Sequence, residues 1–234
     1  MLRIHLIQNL YDLSDEGTRN EIIDSRAFSD FCEVESSNQL PDGDTIGRFR
    51  NLLVRNQIHE QFFAMVVKTL TERGLILKKG TIVDSTIISA PSSTKNKGKK
   101  RDHDAHSVKK GNAWYFGYKA HVGVDKDSGL VHTVEVTAAN EHDVTMTAKL
   151  LHGEEETVNG DSGYIGAEKR EDAILKNKNG KKIRYNINRR PSQYKKNSPR
   201  SKAQTKRREH EKSSVRAKVC LLYTSPSPRD MRRS

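Results

Sequence analysis

The segment that decides the fold lies at residues 80–91 and has the sequence Gly-Thr-Ile-Val-Asp-Ser-Thr-Ile-Ile-Ser-Ala-Pro. Its part at 81–88 is rich in β-branched residues, which favour the extended backbone of a strand. The proline at its end cannot donate to a ladder of hydrogen bonds. We therefore predict a strand that carries one charged residue, Asp84, among apolar and hydroxyl side chains.

The residues after this strand predict a hairpin followed by alternating helices and strands. Two apolar-rich runs, at 115–125 and 130–137, are separated by Lys-Asp-Ser-Gly, a composition typical of a hairpin turn. The other predicted elements are a polar, basic loop at 92–112, a short helix capped by Asn140 or Asp143 and ending at Gly153, a strand at 157–159, a helix at 167–176, a strand at 183–187 and a basic helix from about Gln204. This order is that of an α/β fold of the ribonuclease H-like kind, a mixed sheet with flanking helices.

Residues 1–75 predict a small helical domain that precedes the sheet. Ser14 or Asp15 is placed to cap one helix, and Asp44 to cap another whose apolar residues form a single stripe. A further apolar helix is predicted to end at Gly74, because glycine is the usual residue after a helix C-terminus.

Positive charge is concentrated in the last third of the sequence. The 234 residues include 42 Lys and Arg against 30 Asp and Glu, and residues 176–218 alone hold 17 of the first and two of the second. A block of like charge repels itself unless an anion neutralises it, and a nucleic-acid backbone is the commonest such partner. The alternative is a solvated, partly disordered face. A smaller basic block consists of Lys95, Lys97, Lys99, Lys100 and Arg101.

The composition also argues against several classes of protein. Two cysteines provide neither a disulfide framework nor a zinc ligand set. No apolar run approaches the roughly 18 residues of a membrane helix, and no secretory signal follows Met1. We therefore expect a cytoplasmic protein with no membrane partner.

Two aspartates belong to strands of the predicted sheet that could be neighbours. Asp84 lies in the first strand, and Asp161 directly follows the strand predicted at 157–159. If these strands are neighbours, about 4.8 Å apart, their carboxylates can converge on metal ions roughly 3.5–4 Å from each other. Carboxylate oxygens are the ligands that Mg²⁺ prefers, and two such ions suit phosphodiester chemistry. The alternative is that each aspartate is a turn-former or a cap.

A series of motifs follows in a fixed order along the chain. They are Ile-Val-Asp-Ser-Thr at 82–86, Ala-Pro-Ser-Ser-Thr-Lys-Asn-Lys at 90–97, Trp-Tyr-Phe-Gly-Tyr-Lys-Ala-His-Val-Gly-Val-Asp at 114–125, Ser-Gly-Leu-Val-His-Thr-Val at 128–134, Ala-Ala-Asn at 138–140 with His-Asp at 142–143, and Gly-Asp-Ser-Gly-Tyr at 160–164. Together they resemble bacterial insertion-sequence transposases of the DDE type, in the insertion-sequence-five group. The resemblance extends over nearly all of residues 1–219.

The resemblance implies roles for particular residues. Asp84 and Asp161 correspond to the first two acids of a catalytic triad and to ligands of two Mg²⁺ or Mn²⁺ ions. The third acid of the family is a glutamate, four residues after a motif arginine that corresponds to Arg216; here that position is Cys220. Lys119 and Arg216 are candidate phosphate contacts, and the block Lys95, Lys97, Lys99, Lys100 and Arg101, together with 176–218, is a candidate DNA-tracking surface.

The resemblance also implies a division of the chain. We expect an N-terminal helical domain at 1–78, which is incomplete at its start, and a ribonuclease H-like DDE catalytic domain at 79–219, which is truncated before the third acid. Residues 220–234 bear no likeness to the family and resemble translated sequencing-adapter read-through, so we expect a non-native tail there.

The function expected from the resemblance is that of a DNA transposase fragment. The intact protein would cut and join phosphodiesters at insertion-sequence ends, with double-stranded DNA as transposon end and target, and with further copies of the chain in a synaptic complex on the bacterial nucleoid. Without its third carboxylate, the chain is expected to bind DNA but to cleave it poorly or not at all. Two alternatives stay open: a non-enzymatic DNA-binding or dominant-negative protein, and a nuclease of ribonuclease H fold.

Overall fold

The computed structural model describes residues 1–94, 100–196 and 198–224. Its contacts divide the chain into two compact units, one formed mainly by Met1–Lys68 and the other by Thr69–Tyr223. The first unit is helical, and the second contains a six-stranded sheet.

The helical unit is built around a small apolar core. Its helices are α1 (Leu2–Tyr11), α2 (Asp15–Asp24), α3 (Arg26–Cys32), α4 (Gly43–Arg55) and α5 (Ile58–Glu72), which continues into the second unit. The buried core residues are Ile4, Ile7, Ile22, Leu40 and Ile46. Each comes from an apolar position on the inner face of its segment, as expected for amphipathic helices.

Helix ends in this unit confirm one predicted cap and correct another. The Ser14 hydroxyl accepts a hydrogen bond from the Gly17 amide at 3.0 Å, so the predicted serine cap of α2 is confirmed. The predicted Asp44 cap of α4 is wrong, because Asp42 accepts from the Thr45 amide at 2.8 Å and Asp44 lies in the first turn. Both aspartates favour the start of a helix. Asp42 is the cap because it precedes Thr45, whose amide it accepts from, by three residues.

The second unit is a mixed sheet whose strand order brings the two predicted aspartate-bearing strands together. The strands are β1 (Gly80–Ser89), β2 (His106–Lys110), β3 (Ala113–Asp125), β4 (Val131–Ala138), β5 (Thr157–Gly160) and β6 (Arg184–Ile187). The order is β2-β3-β1-β5-β6, with β4 paired to β3. β3 is antiparallel to β1, β2 and β4, whereas β5 is parallel to β1 and to β6. The predicted fold class, a mixed α/β sheet with flanking helices after a helical region, is confirmed.

Three segments of this unit differ from the sequence prediction. The segment predicted as a loop at 92–112 contains strand β2, and the helix expected before Gly153 is replaced by two short 3₁₀ turns, Asp143–Met146 and Ala148–Leu150. The helix expected at 167–176 is a single 3₁₀ turn, Ala167–Lys169.

Both faces of the sheet are covered by apolar side chains. On one face, Val83 and Val158 pack with Leu150, Tyr164 and Ile183. On the other face, the long helix α6 (Pro199–Thr224) packs against the sheet, where Val219 is buried among Ile82, Val122 and Val124. Adjacent strand residues point to opposite faces, so Ile82 and Val83 belong to different cores and Asp84 lies on the face covered by α6.

Candidate active site

Asp84 lies in the middle of β1, as the fifth of its ten residues, opposite Val122 of β3. Its side chain is 16% exposed and accepts a hydrogen bond from the Ser85 amide at 2.9 Å. Burial raises the pKa of Asp84 above its ordinary value, and the Ser85 amide and the Arg216 guanidinium oppose that rise. The ionised form of a carboxylate that is this poorly hydrated is stabilised when a cation binds next to it.

Asp161 lies immediately after β5, the parallel neighbour of β1. The pairing of β1 with β5 runs from Gly80 with Thr157 to Ile82 with Asn159, and continuing it by two residues places Asp161 level with Asp84. The negative charge of Asp161 is one of the causes that raise the pKa of Asp84. The sheet therefore brings these two carboxylates within electrostatic range of each other.

The Asp161 side chain also has a structural role. It caps the 3₁₀ turn Ser162–Tyr164 by accepting a hydrogen bond from the Gly163 amide at 2.7 Å. This bond orients the carboxylate at the end of β5 and leaves its other oxygen available as an acceptor.

A third carboxylate, Asp143, lies beside this pair. Sequence analysis named it as a helix cap and as part of a motif, but assigned it no role in the site. Its charge contributes to the raised pKa of Asp84. A Cβ built on Gly163 would lie 2.9 Å from one oxygen of Asp161 and 3.3 Å from one oxygen of Asp143, so both carboxylates border the same glycine. The His-Asp motif at 142–143 was the signal for it, but nothing in the spacing predicted its proximity to Asp161.

Lys119, the predicted phosphate contact, is paired with Asp143. Its ammonium donates to the Asp143 carboxylate at 3.0 Å and to the Glu141 carbonyl at 2.7 Å. The Lys119 residue is only 9% exposed. The His121 ring lies behind it, with Nδ1 3.8 Å from the same Asp143 oxygen and Nε2 2.9 Å from the Thr137 hydroxyl. In this structure Lys119 therefore holds Asp143 in place near the other two acids.

Arg216 reaches the site from α6. Its guanidinium lies 4.0 Å from the Asp84 carboxylate, and both side chains are largely buried. Val215 and Val219 pack α6 onto the sheet on either side of it in sequence, which fixes the arginine over the site.

Glu209, an acid that precedes Arg216 on α6, is engaged elsewhere. Its carboxylate accepts from the Arg189 amide at 2.8 Å, from the Asn188 side chain at 3.0 Å and from the Lys212 ammonium at 3.0 Å. Glu209 therefore ties α6 to the segment after β6 and does not replace a glutamate at position 220.

The smaller basic block is described only in part. Lys95, Lys97 and Lys99 lie outside the described residues, whereas Lys100 and Arg101 are exposed. The Arg101 guanidinium lies over the Phe116 ring, 5.7 Å from its centroid.

The donor set at the site is chemically suited to a hard divalent cation. Asp84, from β1, and Asp161, directly after the adjacent strand β5, offer carboxylate oxygens, which are the ligands that Mg²⁺ and Mn²⁺ favour. Within residues 1–94, 100–196 and 198–224, no group of three or more His, Cys, Asp or Glu side chains is arranged to hold a metal ion. The two acids therefore fit such an ion as a partial ligand set, to which a third ligand must be added.

Comparison with known protein families gives two matches. The model described as "Transposase DDE domain" matches residues 76–229, and the model described as "Transposase domain (DUF772)" matches residues 1–52. The first match extends into the segment 220–234, for which we expected no likeness to the family. No solved structure matches the chain. Among the helices that the structure describes, none is both long and apolar enough to cross a membrane.

Proposed function

The chain belongs to the transposase DDE domain family, and on that premise we propose that Asp84 and Asp161 are its metal-binding catalytic acids. The observation that carries this proposal is the parallel pairing of β1 with β5, two inner strands of the sheet, whose register puts the two aspartates level with each other. The family acts on DNA and generally depends on divalent metal ions. Within it, the motifs around Asp84 and Asp161 favour the insertion-sequence-five group.

Asp84 and Asp161 would hold Mg²⁺ or Mn²⁺ ions. Bound there, two such ions supply activation of the attacking hydroxyl and stabilisation of the leaving oxygen at a phosphodiester. Arg216, whose guanidinium lies 4.0 Å from Asp84, would donate two hydrogen bonds to the oxygens of a phosphate group bound beside the carboxylates. Lys119 and Asp143 position the loop that follows β4 against Asp161.

Position 220 determines how well this site cuts DNA. Residues four apart lie on one face of a helix, so an acid four residues after Arg216 would be directed to the same side of α6 as that arginine. The residue there is Cys220, a poor ligand for a hard cation. We propose that the chain binds transposon ends and target DNA but cleaves them weakly.

The test is nicking of a supercoiled plasmid that carries the insertion-sequence ends, with Mg²⁺ or Mn²⁺. We expect weak nicking by the chain as it stands, and an increase of at least about tenfold for Cys220→Glu, since one good transition-state contact exceeds 1.4 kcal/mol. Cys220→Gln introduces a side chain of the same shape as glutamate but without its charge, and it should not increase nicking. Robust nicking by the unaltered chain that Asp84→Ala abolishes would show that the third acid is dispensable.

A second function, occupation of transposon ends without cleavage, is favoured by Cys220 and by the 17 basic residues at 176–218. A mobility-shift experiment in EDTA separates it from the first. Gel retention of the DNA that persists without metal and falls steeply with salt supports electrostatic binding to transposon ends. Assembly of several copies in a synaptic complex would be a further step.

A further inference from the structure

β2 and the first residues of β3 form a hairpin that projects from the sheet. The pairing of β3 with β1 starts at Gly117, and its pairing with β4 starts at Tyr118, whereas the five pairs with β2 extend from Gly117 back to Ala113. A Cβ on Gly117 would collide with the Ile88 carbonyl, so a glycine is required where the hairpin leaves the sheet.

The hairpin carries an exposed tryptophan among cations. Trp114 is 69% exposed and pairs directly with Lys109 on β2, so the two side chains share one face of the ribbon. Phe116, two residues further along that face, is overlaid by the Arg101 guanidinium. Residues 106–117 contain two Lys and no Asp or Glu.

Among the residues that the structure describes, Trp114 makes no ring-stacking or cation–π contact. Lys109 and Lys110 are exposed, and among the described residues they form no ion pair. A large aromatic side chain that stays exposed to water does not contribute to the apolar core. Aromatic and basic side chains together are typical of surfaces that bind nucleic acid.

We propose that the hairpin His106–Gly117 is a β-ribbon that enters a groove of duplex DNA, with Trp114 packed inside the groove and Lys109 on a phosphate. The dimensions agree: two strands about 4.8 Å apart fit a major groove about 12 Å wide, and β-ribbons are known to enter grooves. This inference rests on the proposed function, because it assigns part of the DNA surface that a transposase needs.

The tip of the ribbon lies away from the acids. Val122, the partner of Asp84, is eight residues from Trp114 along β3, which is about 25 Å at the rise of a strand. The ribbon therefore contacts DNA well outside the phosphodiester that Asp84 faces, and it contributes binding rather than chemistry.

Trp114 is the chain's one tryptophan, so its fluorescence reports this site alone. The experiment measures acrylamide quenching of the full chain in EDTA, free and saturated with a blunt duplex, with saturation followed by the anisotropy of labelled DNA. We expect efficient quenching of the free chain and at least about twofold weaker quenching of the complex. Heparin, which offers charge without a groove, should leave the quenching unchanged.

Variants give an independent readout. Trp114→Ala should weaken duplex binding by about tenfold, and Trp114→Phe should restore most of it. Lys109→Ala should reduce the slope of log K against log salt by about 0.9, the contribution of one phosphate. Lys149→Ala, an exposed lysine outside the hairpin, should change neither quantity.

Each contrary result has a definite meaning. Duplex binding with unchanged quenching of Trp114 overturns the ribbon proposal and leaves the transposase proposal intact. Equal protection by heparin also overturns it, as does protection that grows with protein concentration in the absence of DNA, which indicates a second copy of the chain. Absence of any duplex binding overturns the ribbon and the proposed DNA-binding function together.

Discussion

At the scale of single residues, the three carboxylates of the site differ in burial and in their partners. Asp84 is buried and has a raised pKa, Asp161 caps a turn, and Asp143 is neutralised by Lys119. Three acids can be this close only because a lysine and an arginine lie among them. Sequence analysis proposed Asp84, Asp161 and Arg216 as site residues because each belongs to a motif, but the partner of Lys119 depends on a tertiary contact that spacing does not encode.

The Lys119 to Asp143 ion pair should contribute measurably to stability, because both side chains are mostly buried. In a double-mutant cycle with Lys119→Met and Asp143→Asn, we expect a coupling energy of about 1–3 kcal/mol from urea unfolding. The control is the exposed pair Arg26 and Asp30, where the same analysis should give less than about 0.5 kcal/mol. Equal coupling in the two pairs would contradict the buried role of Lys119.

The raised pKa of Asp84 predicts how stability depends on pH. Since the folded state holds this proton more tightly than the unfolded state, Asp84 lowers stability as pH rises from the unfolded pKa through the folded pKa. Asp84→Asn should therefore raise Tm at pH 7 by about 2–4 °C, the effect of about 1 kcal/mol in a chain of this size. Thermal scans should show that gain disappearing at acid pH, and a gain that persists there would contradict the titration.

At the scale of elements, the strands with β-branched or apolar-rich runs were predictable from the sequence, and the short helices were not. β1 follows from a β-branched run, and β3 and β4 follow from apolar-rich runs on either side of a Lys-Asp-Ser-Gly turn. By contrast, β2 contains Lys109 and Lys110 and becomes a strand only by pairing with β3. The helix expected before Gly153 fails because Thr145 and Thr147 donate their hydroxyls to carbonyls three residues earlier, at 2.7 and 2.9 Å, which favours 3₁₀ turns.

The helix expected at 167–176 does not form, for a different reason. Arg170 has an extended backbone after the 3₁₀ turn, and Tyr185 donates its hydroxyl to the Ile174 carbonyl at 2.9 Å. Lys176 then pairs with Lys182 in an isolated bridge. Pairing with the chain around β6 therefore outweighs local helix propensity.

Val219 packs helix α6 against the sheet, so truncating its side chain should destabilise the part of the fold that carries the site. Val219 is completely buried among Ile82, Val122 and Val124, so Val219→Ala should lower the free energy of unfolding by about 1–3 kcal/mol. The matched control is Val136→Ala on β4, where the side chain is 59% exposed and the change should stay within about 0.5 kcal/mol. Denaturant unfolding of both variants checks this, and equal losses would contradict the packing of α6.

At the scale of the whole molecule, charge is divided along the chain. Residues 1–175 hold 22 basic and 27 acidic side chains, whereas 176–218 hold 17 and two. The acidic site is therefore followed in sequence by a segment suited to phosphate contacts, and most of the electrostatic affinity for DNA should come from that segment.

Neutralising exposed residues of the basic segment tests this division. The triple variant Arg200→Gln, Lys206→Gln and Arg208→Gln should reduce the slope of log K against log salt by up to about 2.7, if each residue contacts a phosphate. A control triple of exposed basic residues from outside the segment, Arg26, Arg73 and Lys149, should change it by less than about 1. Titrations of labelled duplex at several salt concentrations measure both, and the reverse ranking would contradict the assignment.

The most direct test of the account is Mn²⁺ binding by the full chain, followed by loss of the free-ion paramagnetic resonance signal. If Asp84 and Asp161 hold the metal together, Asp84→Asn and Asp161→Asn should each weaken binding by at least about tenfold, while Asp24→Asn, an exposed acid in the helical unit, should have no effect. Binding of Mn²⁺ that is equally strong in all four proteins would contradict the assignment of these two aspartates as the metal-binding acids.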